Sequence, residues 1–227
     1  TAPVSGLGAK GRSGSYGLLD TIGAYFNAAS QNARLNRELG AAKVRLVEAQ
    51  ALAEENRRLK ALLNLPEGEP KPVAYARLVG STSSSTRRFA TLSAGASAGV
   101  AMGMPVRSPL GLVGRVLEVG SATSRVLLIT DTESLVPVRR ASDSVAAFAQ
   151  GRSDGTLQVR LISLGINPLK RGDTFVASGS GGLYWPGTPI AVVTALTRDG
   201  AIAQLISDPA ATEYVAVQPV WAPEAAQ

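Results

Sequence analysis

A helix with regularly spaced leucines ends at a cluster of prolines, and this feature constrains the chain more than any other. From residue 41 to residue 65 the sequence contains neither glycine nor proline, and Pro66, Pro70 and Pro72 follow. An isolated helix of this kind is weakly stable in water unless something covers its apolar face. The pattern therefore favours a part of an assembly over an enzyme.

Apolar side chains recur along this segment with alternating spacings of four and three residues. At 3.6 residues per turn, this spacing lines one face of an α-helix, as in coiled coils. Near the helix end the apolar positions shift in phase, which predicts a change of register. We predict a helix over residues 31–66, about 50 Å long, that pairs with a second copy or another helix; packing on the rest of the chain is the alternative. The residues predicted to carry self-association are Leu35, Leu39, Leu46, Leu52, Asn56, Leu59 and Leu63.

After Pro72 the apolar pattern changes to the two-residue period of β-strands, with Gly, Asp, Ser or Asn in the turns. Twelve such short segments predict an all-β body made of two small barrels or a sandwich. Only 5% of the residues are aromatic, so Val, Leu, Ile and Ala have to fill the cores. The predicted strands are 73–79, 89–93, 105–107, 112–119, 125–130, 135–139, 145–149, 156–161, 174–177, 190–196, 202–206 and 214–220.

The predicted order along the chain is a Gly- and Ser-rich flexible lead over residues 1–30, turning helical near Leu18, then the helix, and then the β body. We assign residues 72–140 to a first barrel and 141–222 to a second. The border is compatible with any position from Asp131 to Ser153, and a terminal strand could return to the first barrel. A shift of 84 residues aligns Gly95, Gly103 and Pro105 with Gly179, Gly187 and Pro189. This predicts one corner repeated in each barrel, or two similar turns.

The composition excludes most enzyme classes. The chain has no cysteine and no histidine, which removes thiolate chemistry, the Ser-His-Asp triad and the common zinc sites. Ser97 and Ser153 each stand in a G-x-S-x-G match, but with no base and no following helix both are interpreted as loop residues. The G-x-G-x-x-G match at residues 6–11 has no preceding strand and is interpreted as linker. We predict no catalytic, cofactor-binding or metal-binding residue.

Basic residues exceed acidic ones by 23 to 17, which gives a net charge of +6. This balance would suit an anionic surface, polymer or protein, or it is ordinary surface charge. The basic residues are scattered and the aromatic residues few, so nucleic-acid binding is not expected. No apolar run approaches the roughly 20 residues needed to span a bilayer. The chain begins at Thr1, so we expect an N-terminal segment to be missing from it.

Three segments together resemble the MreC family of bacterial rod shape-determining proteins. They are residues 55–65 (ENRRLKALLNL), 111–116 (GLVGRV) and 172–190 (GDTFVASGSGGLYWPGTPI), and their order and spacing agree with the family over residues 32–220. The chain departs from the family at Ala177, where Thr is usual, and at Ala191, where Gly is usual. Tyr184-Trp185 replaces a Phe-Pro type of step. These departures concern the shape of one loop.

The resemblance implies a single-pass inner-membrane protein whose anchor precedes this chain, with Thr1 onward in the periplasm. It implies a coiled coil followed by two six-stranded β-barrels, similar to those of chymotrypsin-like proteases but without their catalytic residues. Members of the family self-associate and act as a scaffold for cell-wall elongation. The implied partners are the elongation-specific class B penicillin-binding protein, whose active conformation is favoured, together with MreD, RodA and MreB. Residues expected to shape the barrel loops, and candidates for partner contact, are Gly111, Gly114, Gly179, Gly181, Gly182, Pro186 and Gly187.

Two other functions compete with the scaffold. One is a degenerate or lysine-dependent serine hydrolase on a protease-like double barrel, with Ser97 or Ser153 as the nucleophile. The other is a passive module that binds peptidoglycan or another polyanion through the basic surface.

Overall fold

The computed structural model describes residues 14–62, 70–81, 87–163 and 167–222. The chain divides into two compact units, Thr1–Glu69 and Pro70–Gln227. The first contains one long helix, and the second contains all the described strands. This is the predicted class, mainly β with an N-terminal helix.

The helix α1 spans Gly14–Leu62, 49 residues, or about 73 Å at 1.5 Å per residue. It begins well before residue 31, inside the stretch predicted to be a flexible lead. Between residues 18 and 39 the only helix breaker is Gly23, and a single glycine costs only about 1 kcal/mol in a helix. Side chains from residue 31 to residue 59 are exposed, and Arg34 pairs with Glu38 one turn away at 2.8 Å. No helix in the described part of the chain combines the length and apolarity needed to cross a membrane.

Twelve strands close into two antiparallel barrels of six strands each. The first barrel has the order β1-β12-β3-β4-β5-β2, and the second has the order β10-β11-β8-β7-β6-β9. Along each strand, side chains alternate between the barrel interior and the outside. The strands are β1 Ala74–Ser81, β2 Phe89–Leu92, β3 Pro105–Arg107, β4 Leu112–Val119, β5 Ser124–Leu128, β6 Leu135–Arg140, β7 Ala146–Gly151, β8 Thr156–Leu161, β9 Thr174–Ala177, β10 Pro189–Thr197, β11 Gly200–Leu205 and β12 Tyr214–Val217.

The border between the barrels lies at the early end of the predicted range Asp131–Ser153 and not at the assigned residue 140. Strand β6 belongs to the second barrel, where it pairs with β7 and β9, so the border lies between Leu128 and Leu135 and not at residue 140. Strand β12 returns to the first barrel and pairs with β1 and β3. An alternating pattern identifies a strand but not its partners, which explains the misplaced border.

The predicted repeat of one corner is wrong. If β12 is counted first, the first barrel runs β12-β1-β2-β5-β4-β3, which matches β6-β7-β8-β11-β10-β9 in the second. In this alignment Pro105 opens β3, which corresponds to β9, whereas Pro189 opens β10, which corresponds to β4. The shared Gly-x-Pro sequences are therefore two similar turns at different places in the topology.

Each barrel has its own apolar core. The first is filled mainly by valines, such as Val106, Val116 and Val126. The second is built around Phe175 and Ile190, among others, and it also takes up Leu112 from β4 and Ile129 from the segment after β5. These two residues of the first half of the chain are buried in the core of the second barrel, so the barrels share apolar packing where they meet.

Candidate assembly surfaces

The leucines predicted to carry self-association lie exposed on α1. Leu35, Leu39 and Leu46 fall within about 40° of one another around the helix axis, and each is 54–62% exposed. Leu52 and Leu59, 66% and 52% exposed, form a second group about 120° from Leu46. Asn56 is exposed as well, and Leu63 lies outside the described residues. A partner that covers both groups would have to follow this change of face.

Three further apolar side chains on α1 lie outside the two leucine groups. Val44, Val47 and Leu62 are all more than half exposed. Leu62 is only about 60° from Leu59, but Val47 stands about 100° from Leu46 and about 120° from Leu59. Val47 does not follow the four-three pattern, and together with the exposed Ala51 one turn later it provides a control face away from both leucine groups.

Most of the glycines predicted to shape the barrel loops lie in the connection between β9 and β10, residues 178–188, here called the glycine loop. Gly179, Gly181, Gly182 and Gly187 all have φ between 64° and 84°, a left-handed conformation that favours glycine. The Pro186 ring packs against Gly179, where an added Cβ would come within 3.1 Å. Pro186 and Gly187 are exposed between the buried residues Tyr184 and Thr188, and Gly181 is exposed before them.

Gly111 and Gly114 have other roles. A Cβ at Gly111 would meet the Pro189 carbonyl oxygen at 2.5 Å, so the start of β4 lies directly against the start of β10. Gly114 is inside β4, not in a loop, and a Cβ there would come within 2.2 Å of the Leu127 carbonyl oxygen on β5. Its lack of a side chain permits close strand packing in the first barrel.

Both tryptophans of the chain join the glycine loop to the segment that follows β12. Trp185 Nε1 donates a hydrogen bond to the Pro219 carbonyl at 2.8 Å. The Trp221 backbone N–H donates to the Leu183 carbonyl at 3.2 Å. The two indole rings meet edge to face, with centroids 4.6 Å apart. These contacts hold the loop of the second barrel against a segment that leaves the first.

Tyr184 anchors the same loop from inside. It is 3% exposed and belongs to the core of the second barrel. Burial raises the pKa of its hydroxyl to about 12, so the phenol stays protonated at neutral pH. The dipeptide Tyr184-Trp185 was recognised in the sequence only as a departure from the family. In the structure Tyr184 anchors the loop in the core, and Trp185 makes a contact between the barrels.

A buried carboxylate organises the junction between the barrels. Asp131 is fully buried in the segment between β5 and β6. Its Oδ2 accepts hydrogen bonds from the Arg88 backbone N–H at 2.5 Å and from Arg87 Nε at 3.2 Å. Its Oδ1 accepts from the Glu133 backbone N–H at 2.8 Å. Strand β7 ends at Gly151, where a Cβ would come within 2.2 Å of the Asp131 carbonyl oxygen.

Two other polar contacts cross the same junction. The Arg88 guanidinium donates to the carbonyl of Ser153, in the turn after β7. The buried hydroxyls of Ser108 and Ser207 lie 2.7 Å apart. The junction is thus held by polar contacts from several strands and loops as well as by its apolar packing.

The two serines of the hydrolase motif lie in turns. Ser97 is inside a three-residue 3-10 helix, Ala96–Ala98. Ser153 has φ 59°, and its backbone N–H donates to the Thr130 carbonyl at 3.0 Å. A nucleophile elbow needs a strand-to-helix turn and a base near the hydroxyl, and the chain has no histidine. Within the described residues, no group of three acidic side chains could hold a metal ion.

A second ionic cluster lies at the other end of the second barrel. Arg140, only 8% exposed, donates to Asp143 Oδ1 at 2.8 Å and to Asp173 Oδ2 at 2.7 Å. The hydrogen bond from Arg140 lowers the pKa of Asp143. Burial alone would raise the pKa of Asp173, but the hydrogen bonds from Arg140 and the Lys170 backbone lower it overall. Both carboxylates are therefore ionised at neutral pH and tie the β6–β7 hairpin to the start of β9.

We expect this cluster to stabilise the fold at neutral pH and to lose its effect in acid. The pKa of Asp173 is lower in the folded chain, so its contribution is present above the ordinary aspartate pKa of about 3.9 and disappears as pH falls through the lowered value. Asp173→Asn should lower the free energy of unfolding at pH 7 by about 1–3 kcal/mol, with a smaller difference below pH 4. Urea unfolding at pH 7, 5 and 3.5 measures this. The exposed Asp199→Asn is the control, and an equal loss in both variants would contradict the assignment.

Comparisons with known proteins agree on one family. A family model described as rod shape-determining protein MreC, barrel core, matches residues 78–219. The cell shape-determining protein MreC of Caulobacter vibrioides is 37% identical over 218 residues, which cover 95% of this chain and 62% of that protein. The MreC of Haemophilus influenzae is 30% identical over 172 residues, covering 75% of this chain and 49% of the relative. The chain thus spans about half to three-fifths of these curated relatives.

Solved structures give the same result for the fold. A structure of MreC superposes with a TM-score of 0.60 at 30% identity, covering 74% of this chain and 99% of the other. The crystal structure of MreC from Pseudomonas aeruginosa gives a TM-score of 0.57 at 28% identity, with coverages of 63% and 97%. Both structures share the mainly β architecture of this chain.

Proposed function

Because the chain belongs to the MreC family of rod shape-determining proteins, we propose that it acts as a non-enzymatic scaffold in determining cell shape. The curated relatives carry the name cell shape-determining protein. The observation that best supports a scaffold is the exposure of Leu35, Leu39, Leu46, Leu52 and Leu59 on one long helix. Exposed leucines in such number are costly in water, and pairing with a second copy would cover them.

The proposed site of action is the periplasmic face of the inner membrane, with an anchor before this chain. The proposed partner is the elongation-specific class B penicillin-binding protein, within an assembly that includes MreD, RodA and MreB. A scaffold activates an enzyme when it binds the active conformation more tightly than the inactive one. This mechanism requires no catalytic residue in the chain.

We propose the glycine loop as part of the surface that meets the penicillin-binding protein. Its exposed residues Pro186 and Gly187 stand between the buried residues Tyr184 and Thr188, and Trp185 is fixed by its hydrogen bond to Pro219. A loop held in one conformation loses little entropy on binding, which favours affinity. Aromatic residues such as Trp185 are also common in the energetically dominant parts of interfaces.

Binding assays with two class B penicillin-binding proteins test this function. We expect the chain to bind the elongation-specific enzyme saturably and its division-specific counterpart at least tenfold more weakly. Pro186→Glu should weaken binding because it places a charge on the glycine loop, whereas Ala146→Glu, at the opposite end of the same barrel, should not. Equal binding to both enzymes would contradict the proposed partner, and equal effects of the two substitutions would contradict the proposed surface.

Self-association should add to this binding through avidity. On a surface that carries the penicillin-binding protein at high density, a paired chain can engage two copies, and avidity commonly exceeds single-site affinity by 100-fold or more. The gain should vanish at low surface density. A density-independent affinity would indicate that one copy of the chain binds alone.

A further inference from the structure

The end of the second barrel that lies away from the first barrel carries an excess of positive charge. It is formed by residues 139–147, 160–163, 167–174 and 194–201, where β6, β8 and β10 end and β7, β9 and β11 begin. These residues include six basic and three acidic side chains, an excess of three positive charges. Half of the chain's net charge of +6 therefore lies at this one end, here called the basic end.

The acidic groups at the basic end leave most of its cations unpaired. Asp143 and Asp173 both bind Arg140, which leaves Asp199 as the remaining carboxylate. Arg160, Lys170, Arg171 and Arg198 are exposed, and within the described residues none of them has an ion pair. By contrast, two cations of the first barrel pair with acids, Arg77 with Glu213 and Arg125 with Glu118.

The unpaired cations share the basic end with exposed aliphatic side chains. Arg160 is near the end of β8. Lys170 and Arg171 are in the turn before β9, and Arg198 is in the β10–β11 turn. Ile162 and Leu196, at the same end, are 53% and 51% exposed. Basic side chains can keep their charges at a polar surface while neighbouring apolar groups enter a less polar layer.

We propose that the basic end docks on an anionic phospholipid surface. The cations project from different strand ends around the barrel, so a broad charged plane can meet all of them at once, and charge complementarity selects an anionic one. The exposed aliphatic residues distinguish this occupant from a hydrated polyanion, which offers no apolar layer for Ile162 and Leu196. This docking is independent of the proposed binding of the penicillin-binding protein, which uses the glycine loop at the other end of the barrel.

Vesicle sedimentation with the full 227-residue chain tests the docking. We expect the chain to sediment with vesicles of phosphatidylglycerol and phosphatidylcholine in equal parts, but not with phosphatidylcholine alone, and to dissociate between 50 mM and 500 mM salt. Arg160→Gln with Arg171→Gln and Arg198→Gln should weaken binding roughly 100-fold, at about fivefold for each cation near an anionic surface. Ile162→Ser with Leu196→Ser should weaken it about tenfold or more, since both side chains lose their insertion.

A matched charge change on α1 serves as the control. Lys43→Gln with Arg45→Gln and Arg58→Gln removes the same three charges from exposed helix positions and should leave vesicle binding within about twofold. An equal loss in this variant would overturn the proposal, because binding would then follow net charge alone. The proposal would also be overturned if the Ile162 and Leu196 substitutions left vesicle binding unchanged, or if the chain bound soluble polyglutamate as tightly as the vesicles. Either result would indicate an acidic macromolecule as the partner. Circular dichroism and thermal melting of each variant confirm that the fold is retained.

Discussion

Replacing Leu46 and Leu59 by glutamate is expected to convert a self-associating chain into a monomer of 23.4 kDa. Both leucines are more than half exposed on α1, and each would contribute about 1.5–3 kcal/mol if a partner buried it fully. Glutamate removes this gain and would place a charge in the interface. Light scattering should therefore report about twice the chain mass for the original sequence and a single chain mass for the variant, with the β signal in circular dichroism unchanged.

Val47→Glu with Ala51→Glu is the matched control for this experiment. Both residues are exposed but stand about 80–140° from Leu46 and from Leu59 around the helix axis. The control also adds two carboxylates, so any general effect of charge on the helix acts equally in both variants. If both variants become monomeric, the helix associates without the proposed face. If neither does, α1 does not mediate self-association.

The strands could be predicted because a closed barrel enforces a strict alternation along each of them. In β8, for example, Leu157 and Val159 are buried while Arg160 is exposed, and this alternation of apolar and polar residues is visible in the sequence. The family resemblance gave the number of strands in each barrel. Closure itself depends on which strands pair, and that is not encoded in any single segment. Strand β12 illustrates this, because it pairs with β1 about 140 residues earlier in the chain.

The loop glycines could be predicted in part, since a glycine in a strained turn is visible as a residue type. Gly187, with φ 84°, fits that expectation. The role of Gly114 could not be predicted, because it depends on the approach of a backbone carbonyl from a neighbouring strand. The tryptophan contact was missed for the same reason, as Trp185 and Pro219 are 34 residues apart.

The helix begins shortly before Leu18, near which the lead was predicted to turn helical, and well before residue 31, where the paired helix was predicted to start. Glycine and serine near residue 14 lower helix propensity, and on that basis the lead was predicted to be flexible up to about Leu18. Helix formation is cooperative, so a long helix extends into residues of weak propensity once it is formed. The self-association residues were identified from spacing alone, which indicates an apolar face but not what covers it.

The role of Asp131 could not be predicted from the sequence, where it appears only as one limit of the possible border between the barrels. One signal could have indicated it: Asp131 stands two residues after the apolar run 126–129, at the point where the chain passes from one barrel to the other. A carboxylate buried there must find hydrogen-bond donors from both sides. It finds them in the backbone of Arg88 and Glu133 and in the side chain of Arg87.

Asp131→Ala is therefore expected to lower the free energy of unfolding by about 3–5 kcal/mol, because it leaves two backbone N–H groups without their acceptor and removes the buried one of the two carboxylates that pair with Arg87. Urea unfolding monitored by tryptophan fluorescence measures this loss. Trp185 and Trp221 lie where the two barrels meet, so their emission should report a separation of the barrels directly. Glu133→Ala is the matched control, since Glu133 pairs with the same Arg87 at 2.7 Å but is 64% exposed, and such a pair contributes less than about 1 kcal/mol. Similar midpoints for the two variants would show that the buried carboxylate does not hold the junction together.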